Sequence, residues 1–425
     1  MRLGVRLRSP LVFAVATLFS SGAQWLWFPV LARSRGAEDV GALALALAIT
    51  LPTMLLANAR MRTLLVADTR GEFSLADYLS VRVPVACLAV VVAAAIGWSF
   101  SSSADTRAVV CGVAALKGVD ALSDIFQGFF QVRRRLERSS ASLAIRCAAT
   151  LAVFALSLYA GCTTARAVAH AALASFSVLV LYDAASARAL GAPLDPRPAW
   201  RSGKTRILLR RCGETAGVQT LISIYSQLPT LLLARTGGES MAGVFAPVLH
   251  VTVLPAMILG SLADATITPL AAALDRDDMR AFARRLGRLG ALAAVLGGGL
   301  VVFGVTCGPS TIAWIYGNHA YGDARVVALV CTNGALAMLL ASVGTGIVAW
   351  RQQWRFVLPY LAMCAVSAAI CLGFIPSLGP VGAAWANVVG NGVGVVLLGL
   401  SLGRLAYARR EARRSHPAGG VVLAS

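Results

Sequence analysis

The stretch VGALALALAITLPTMLLANA, residues 40–59, decides how this chain is to be read. It holds twenty residues without one charge. As a helix at about 1.5 Å per residue it covers about 30 Å, the thickness of a bilayer's hydrocarbon core. Leu alternates with Ala and not with polar residues, so the run is continuously apolar and does not read as a barrel strand. Charge returns only at its edges, with Glu38 and Asp39 before it and Arg60 and Arg62 after it.

The rest of the 425 residues repeats this pattern. The apolar set makes up 58% of the chain and charged residues 13%, and mean hydropathy is +0.74. Soluble domains carry about 25% charged residues. So few charges cannot cover a soluble protein of this size, which excludes a soluble enzyme, and the apolar content excludes a disordered chain. Twelve blocks are long enough to span: 10–32, 40–59, 79–100, 107–130, 141–161, 165–187, 212–234, 241–267, 287–307, 323–349, 356–375 and 380–403. The first follows Arg2, Arg6 and Arg8. Its length and the eleven later blocks favour a retained helix over a cleaved signal peptide.

The net charge of +19 suggests a nucleic-acid binder until the charges are placed. With the N-terminus in the cytoplasm, 30 of the 38 Lys and Arg residues fall in cytoplasmic segments and only six (Arg33, Arg35, Arg107, Arg166, Arg235 and Arg325) on the other side. That asymmetry is the positive-inside rule, and it predicts twelve spans with both termini cytoplasmic. The longest polar connection, about 188–211, contains Gly191, Pro193, Pro196 and Pro198 and follows the sixth block. The expected fold is an all-α polytopic membrane protein with a six-helix half at 1–190, a basic linker at 191–211, a second six-helix half at 212–405 and a basic tail at 406–425. Several transporter folds are built as two such halves. The nine cysteines form no CxxC pair, so neither a disulfide framework nor a zinc site is expected. No nucleotide-binding, zincin or dinucleotide motif is present, and no cofactor is expected.

Polar groups inside spans are costly and usually pair or work. They concentrate in the fourth block, where Lys117, Asp120, Asp124, Gln127 and Gln131 follow at steps of three and four along one helix face. The stripe is about 21 Å long. Val119, Leu122 and Phe126 mark the apolar opposite face. Arg146 lies at similar depth in the next block, so Asp124–Arg146 and Lys117–Asp120 are expected pairs. Lys117, Arg146, Gln127 and Gln131, with Arg62 from the cytoplasmic edge, are candidate substrate-binding residues. Asp120 and Asp124 are candidate coupling or structural acids. Gln24, Asn58, Gln219, Gln227, His250, Asn333, Asn387 and Asn391 are weaker candidates, since amides in spans also serve to hold helices together. Asp183, Glu214 and Asp264 lie near block ends and read as wet helix-end charges. The segment 275–288, acids first and arginines last, reads as a cytoplasmic surface helix.

Three stretches carry a family resemblance: Leu65–Asp68 with Glu72–Leu79 and Arg82; Asp124, Gln131, Arg133-Arg134, Ser142 and Arg146; and Gly379–Ala386. The first is similar to the second cytoplasmic connection, the second to the fourth-to-fifth helix junction, and the third to the last-helix entry of bacterial polysaccharide flippases. These are the Wzx-like members of the multidrug/oligosaccharidyl-lipid/polysaccharide transporter superfamily. The resemblance implies two six-helix lobes around a central cavity in the bacterial cytoplasmic membrane. It implies a cargo of polyprenyl-pyrophosphate-linked oligosaccharide moved from the inner to the outer leaflet, with membrane lipids and polysaccharide-assembly proteins as partners. A cation-coupled drug exporter of the same superfamily is the nearest alternative. Residues 10–32 hold no acid, however, and Lys117 and Arg146 would repel a cationic drug. A membrane enzyme of glycan assembly fits less well, because the longest outside connection, about 308–322, is too short for a catalytic domain.

Overall fold

The computed structural model describes residues 2–68, 72–101, 103–192, 194 and 203–415, and among these it contains helices and connections without a strand. The first half comprises α1 (Arg2–Ser34), α2 (Ala37–Asn58), α3 (Met61–Ala67), α4 (Leu75–Phe100), α5 (Ala104–Val132), α6 (Leu136–Tyr159), α7 (Thr164–Val178) and α8 (Ala185–Ala189). The second comprises α9 (Gly203–Gly237), α10 (Glu239–Leu249), α11 (Val253–Asp275), α12 (Met279–Val305), α13 (Gly308–Tyr316), α14 (Ala324–Ala349), α15 (Val357–Leu378) and α16 (Pro380–Ser415).

Nine stretches of the described residues are long and apolar enough to cross a membrane. They hold nine of the twelve expected blocks. The other three, 10–32, 107–130 and 212–234, lie on α1, α5 and α9 and are helical throughout. Lys117, Asp120 and Asp124 interrupt the apolar course of α5. Of the expected linker, residues 193 and 195–202 lie outside the described residues, and α9 begins within it, at Gly203. Residues 416–425 of the tail also lie outside them.

Packing explains the composition. α2 packs against α4, α5, α9 and α10, and Val40–Ala46 are buried without interruption. A helix apolar on every side suits that enclosed position. Elsewhere Leu88, Val91, Val295, Val302 and Leu358 stand more than 60% exposed, an outer surface made for lipid rather than water. α4 starts on a capping box, in which Ser74 Oγ accepts from the Asp77 amide and the Asp77 carboxylate accepts from the Ser74 amide.

α2 and α10 begin side by side, backbone against backbone. A Cβ on Gly41 would lie 1.8 Å from the Glu239 carbonyl oxygen, and one on Gly243 1.8 Å from that of Ala37. Only glycine permits this approach. Hydrogen bonds tie the same end of the bundle. Glu239 accepts from Ser101 Oγ at 3.0 Å and Thr106 Oγ1 at 2.6 Å, Asp39 accepts from Thr164 Oγ1 at 2.6 Å, and Arg33 donates to the carbonyls of Trp314 and Ile315.

Three local expectations change. The block 241–267 is broken by a 3-10 turn at His250–Thr252. Pro247 and Pro255 flank the break and withdraw amides from the hydrogen-bond ladder. The segment 275–288 is no separate surface helix: Asp278 caps α12, which then runs unbroken from Met279 to Val305, and Asp277 pairs with Arg409 at 2.9 Å. Asp183 is not a wet end charge but fully buried. It sits in a π-helical turn, Leu179–Ala184, between α7 and α8, and accepts from Ser123 Oγ of α5. Asp264 is exposed, and the side chain of Glu214 lies outside the described residues.

Candidate functional site

A cavity of about 790 Å³ runs through the first half, walled by α1, α2, α3, α5 and α6 with His250 from the helix break. Arg62, Lys117, Asp120, Asp124, Gln127 and Arg146 all line it, as do Gln24 and Asn58. Six of the seven residues singled out from the sequence therefore meet in one place. Gln131, one turn further along the stripe, does not line the cavity. Its helix ends at Val132.

The pairing differs from expectation. Asp124 does not pair with Arg146. Arg62 Nη1 donates to Asp124 Oδ1 at 2.9 Å and to Gln127 Oε1 at 3.1 Å, and Arg82 Nη2 stands 3.7 Å from Asp124 Oδ2. Arg146 Nε faces Asp120 Oδ1 at 3.6 Å, one helical turn from Asp124. Asp120 Oδ2 also meets Lys117 Nζ at 3.3 Å, the expected pair within α5. Each carboxylate thus bridges two cations, and two charged groups of three stack along one helix face.

Local backbone accounts for the exchange of partners. Ala59 (φ 44°) and Arg60 (φ 51°) both take the left-handed conformation, which ends α2 and redirects the chain into α3. α3 packs on α5, and Gly128 leaves room there: a Cβ on it would lie 3.1 Å from Arg62 Cγ. Two consecutive non-glycine residues at positive φ are costly and persist only where surrounding structure holds them. Their effect here is to carry Arg62 to Asp124.

Arg82 was not among the residues expected at the site. It is fully buried, and its Nη1 donates to Asn58 Oδ1 at 2.8 Å and to the Ala57 carbonyl at 3.1 Å. The signal was present, since Arg82 interrupts the run Leu79-Ser80-Val81 and Val83-Pro84-Val85 within the third block.

Accessibility separates the members of the cluster. The side chains of Arg62, Asp120 and Asp124 are 24–32% exposed into the cavity, that of Arg146 is 6% exposed, and that of Arg82 is closed off. Arg146 Nη1 is buried and finds no hydrogen-bond partner among the described residues. Ion pairs as wet as Arg62–Asp124 contribute about 0–1 kcal/mol, so an incoming anion can displace them cheaply. With four cations around two carboxylates, the cluster is net positive.

A second cavity, of about 490 Å³, lies in the other half. Gln227, His250, Asn333, Asn387 and Asn391 line it, whereas Gln219 lines neither cavity. No group of three metal-binding side chains gathers among the described residues.

The sequence model of a family described as polysaccharide biosynthesis protein matches residues 7–274. The match includes the resemblance stretches at 65–82 and 124–146. No curated protein sequence matches the chain. Among solved structures, the lipid II flippase MurJ in an inward closed conformation is similar with a TM-score of 0.71 at 10% identity, covering 92% of this chain and 87% of that one. A multidrug resistance MATE family transporter of the MOP superfamily, inward-facing, gives 0.64 at 14% identity over 92% and 96%. A MOP superfamily transporter from Pyrococcus furiosus, described as having a binding pocket of reverse polarity, gives 0.59 at 14% over 94% and 96%. At these identities the likeness is one of fold.

Proposed function

The chain belongs to the polysaccharide biosynthesis protein family, and from that premise we propose that it is a flippase carrying a polyprenyl-pyrophosphate-linked oligosaccharide from the inner to the outer leaflet of a bacterial cytoplasmic membrane. In this reading α1, α5 and α9 join the nine apolar spans to give twelve. The termini are cytoplasmic, and residues 1–190 and 212–405 form the two lobes.

The observation that carries the reading is the stack of charges on α5. A pyrophosphate diester crossing hydrocarbon must exchange its hydration for fixed donors. Arg62, Lys117 and Arg146 offer guanidinium and ammonium groups to a cavity within an apolar bundle, and Arg146 has a donor to spare. Arginine suits phosphate oxygens because its fork can donate two parallel hydrogen bonds. Asp120 and Asp124 hold the cations in place in the empty cavity and give them up when an anion enters. Arg82, enclosed and bonded to α2, anchors Asp124 and stays out of contact with cargo. Gln127 orients Arg62, and Gln131 has no part in this reading.

A drug exporter for cations fits this cavity poorly, because a cation would have to displace Lys117 or Arg146 from Asp120. The test is a strain lacking the protein, in which lipid-linked oligosaccharide is quantified on each face of the membrane. Inner-face accumulation with loss of surface polysaccharide, reversed by the wild-type chain and not by the Arg62→Ala, Arg146→Ala double variant, is expected. Oligosaccharide reaching the outer face normally, but remaining short or unattached, refutes the reading in favour of an assembly enzyme.

A further inference from the structure

The second cavity is chemically unlike the first. It is bounded by α1, α2, α9, the α10–α11 break, α14, α15 and α16, and among the described residues no Asp, Glu, Lys or Arg lines it. What lines it instead are four carboxamides (Gln227, Asn333, Asn387 and Asn391), two tyrosines (Tyr225 and Tyr360), His250 and the hydroxyl residues Ser226, Thr230 and Thr252, among apolar residues. Its volume of about 490 Å³ lies within the range of about 300–1,000 Å³ usual for small-molecule sites. Phe28, Leu47, Leu51 and His250 line both cavities, so the two are neighbours across a single wall.

An occupant has to match this lining. A carboxylate or phosphate is best held by a Lys or Arg, and among the described residues none lines the cavity. An alkyl chain would leave buried amides without partners, which is costly. Amides whose only task is to join helices are used up by each other, and one such bond exists, from Asn391 Nδ2 to Asn333 Oδ1 at 2.6 Å. The carboxamides of Gln227 and Asn387, however, make no hydrogen bond among the described residues, and each has two N–H donors and an acceptor oxygen to offer. Tyr225 is held in place: its hydroxyl donates to the Asn387 carbonyl at 3.3 Å, and its ring meets Tyr360 edge to face at 6.0 Å. Neutral groups that both donate and accept, beside aromatic faces, fit a neutral polyol, whose hydroxyls do both and whose C–H faces are apolar.

We propose that this cavity is the saccharide subsite, and that it selects cargo whose sugars nearest the pyrophosphate are uncharged. The inference rests on the flippase reading, which supplies the pyrophosphate in the neighbouring cavity. It assigns the two parts of one cargo to two halves of the chain: the anion to α3, α5 and α6, and the sugars to α9, α14 and α16.

The test uses the full chain in lipid nanodiscs and three probes: undecaprenyl pyrophosphate, the same lipid bearing a neutral disaccharide of N-acetylhexosamine, and the same lipid bearing a hexuronate. Hydrogen bonds lost to a mismatched group set the scale, so the neutral disaccharide lipid is expected to bind about tenfold more tightly than the bare lipid, and the hexuronate lipid no more tightly than the bare one. Asn387→Leu should abolish the sugar-dependent gain, with its affinity for the bare lipid reporting whether the variant is folded. Gln227→Leu, at a half-buried position, makes the same test should Asn387→Leu, at a buried one, fail to fold. A neutral disaccharide that adds no affinity, a hexuronate that adds as much, or a gain that survives Gln227→Leu overturns the subsite and leaves the flippase reading standing. Wild-type protein that binds none of the three lipids better than the Arg62→Ala, Arg146→Ala double variant overturns the flippase reading, and the subsite with it.

Discussion

Gly243→Ala is the perturbation whose effect can be worked out most directly. The new Cβ would stand 1.8 Å from the Ala37 carbonyl oxygen and 2.7 Å from the Gly41 amide nitrogen. Carbon and oxygen need a little over 3 Å, so α2 and α10 must part by more than 1 Å at the point where they touch. Neither helix can yield locally, because the obstructing atoms are backbone. The strain is that of an overpacked contact, about 1–3 kcal/mol, and it falls only on the state in which the two helices meet. A shift of that size moves the balance toward the state opened at this end by about 5- to 150-fold. Separation also stretches the bonds from Ser101 and Thr106 to Glu239, which begins α10. The assay is a spin-label distance measurement across the end of the bundle, with labels at Tyr159 and Trp385. They should be carried on genetically encoded residues, because Cys87, Cys111 and Cys307 are exposed. The distance distribution should broaden toward longer values in Gly243→Ala, and a glutamate-free control, Glu239→Ala, should move it the same way by less. A distribution identical to wild type, in protein of unchanged thermal stability, would refute the view that this glycine contact holds α2 against α10.

Other outcomes follow from the charge stack and the caps. Arg62→Ala should fold and insert normally, since its pair with Asp124 is partly wet, yet initial flipping into proteoliposomes should fall by about tenfold or more. Lys117→Ala and Arg146→Ala should each cut transport by a similar factor while surface labelling shows normal insertion; normal transport by both would sink the anion-binding role of the cavity. Asp120→Asn releases two cations from one carboxylate. Bare undecaprenyl pyrophosphate should then bind several-fold more tightly, about 1 kcal/mol for charges at partly wet sites, and weaker binding by titration would contradict the assignment. Ser74→Ala removes one half of the α4 capping box at a cost of about 1 kcal/mol. Hydrogen exchange at Asp77 and Tyr78 should quicken by about fivefold, with transport unaffected.

Much of this was legible in the sequence because the bilayer imposes simple rules. Residues 40–59 read as a membrane span from composition alone, and the stripe from Lys117 to Gln131 read as a cavity wall from spacing alone, which holds as far as Gln127. What the sequence did not disclose were contacts between elements. Asp124 and Arg146 stand at matching depths on neighbouring helices, which is why they were expected to pair. The choice of Arg62 instead depends on two left-handed residues, Ala59 and Arg60, neither of which is a glycine or asparagine that would announce the turn. Gln131 continues the stripe by spacing, yet the helix stops one residue later, so periodicity carried the prediction past the end of the cavity. Asp183 reads as an end charge by position, but a π-helical turn widens the helix there and the side chain lies against Ser123. The second cavity was visible only as scattered amides in three separate blocks, because α9, α14 and α16 are brought together by packing that no local pattern encodes.

The break at His250–Thr252 has a pharmacological consequence. Phe28 and His250 lie with ring centroids 4.5 Å apart on the wall between the two cavities. A small inhibitor wedged against that pair would obstruct both cavities from one position, and it would stiffen the joint between α10 and α11. Resistance would then be confined to a few residues of α1, α2 and the break. Any substitution there that expelled the inhibitor would also alter the wall that both cavities share.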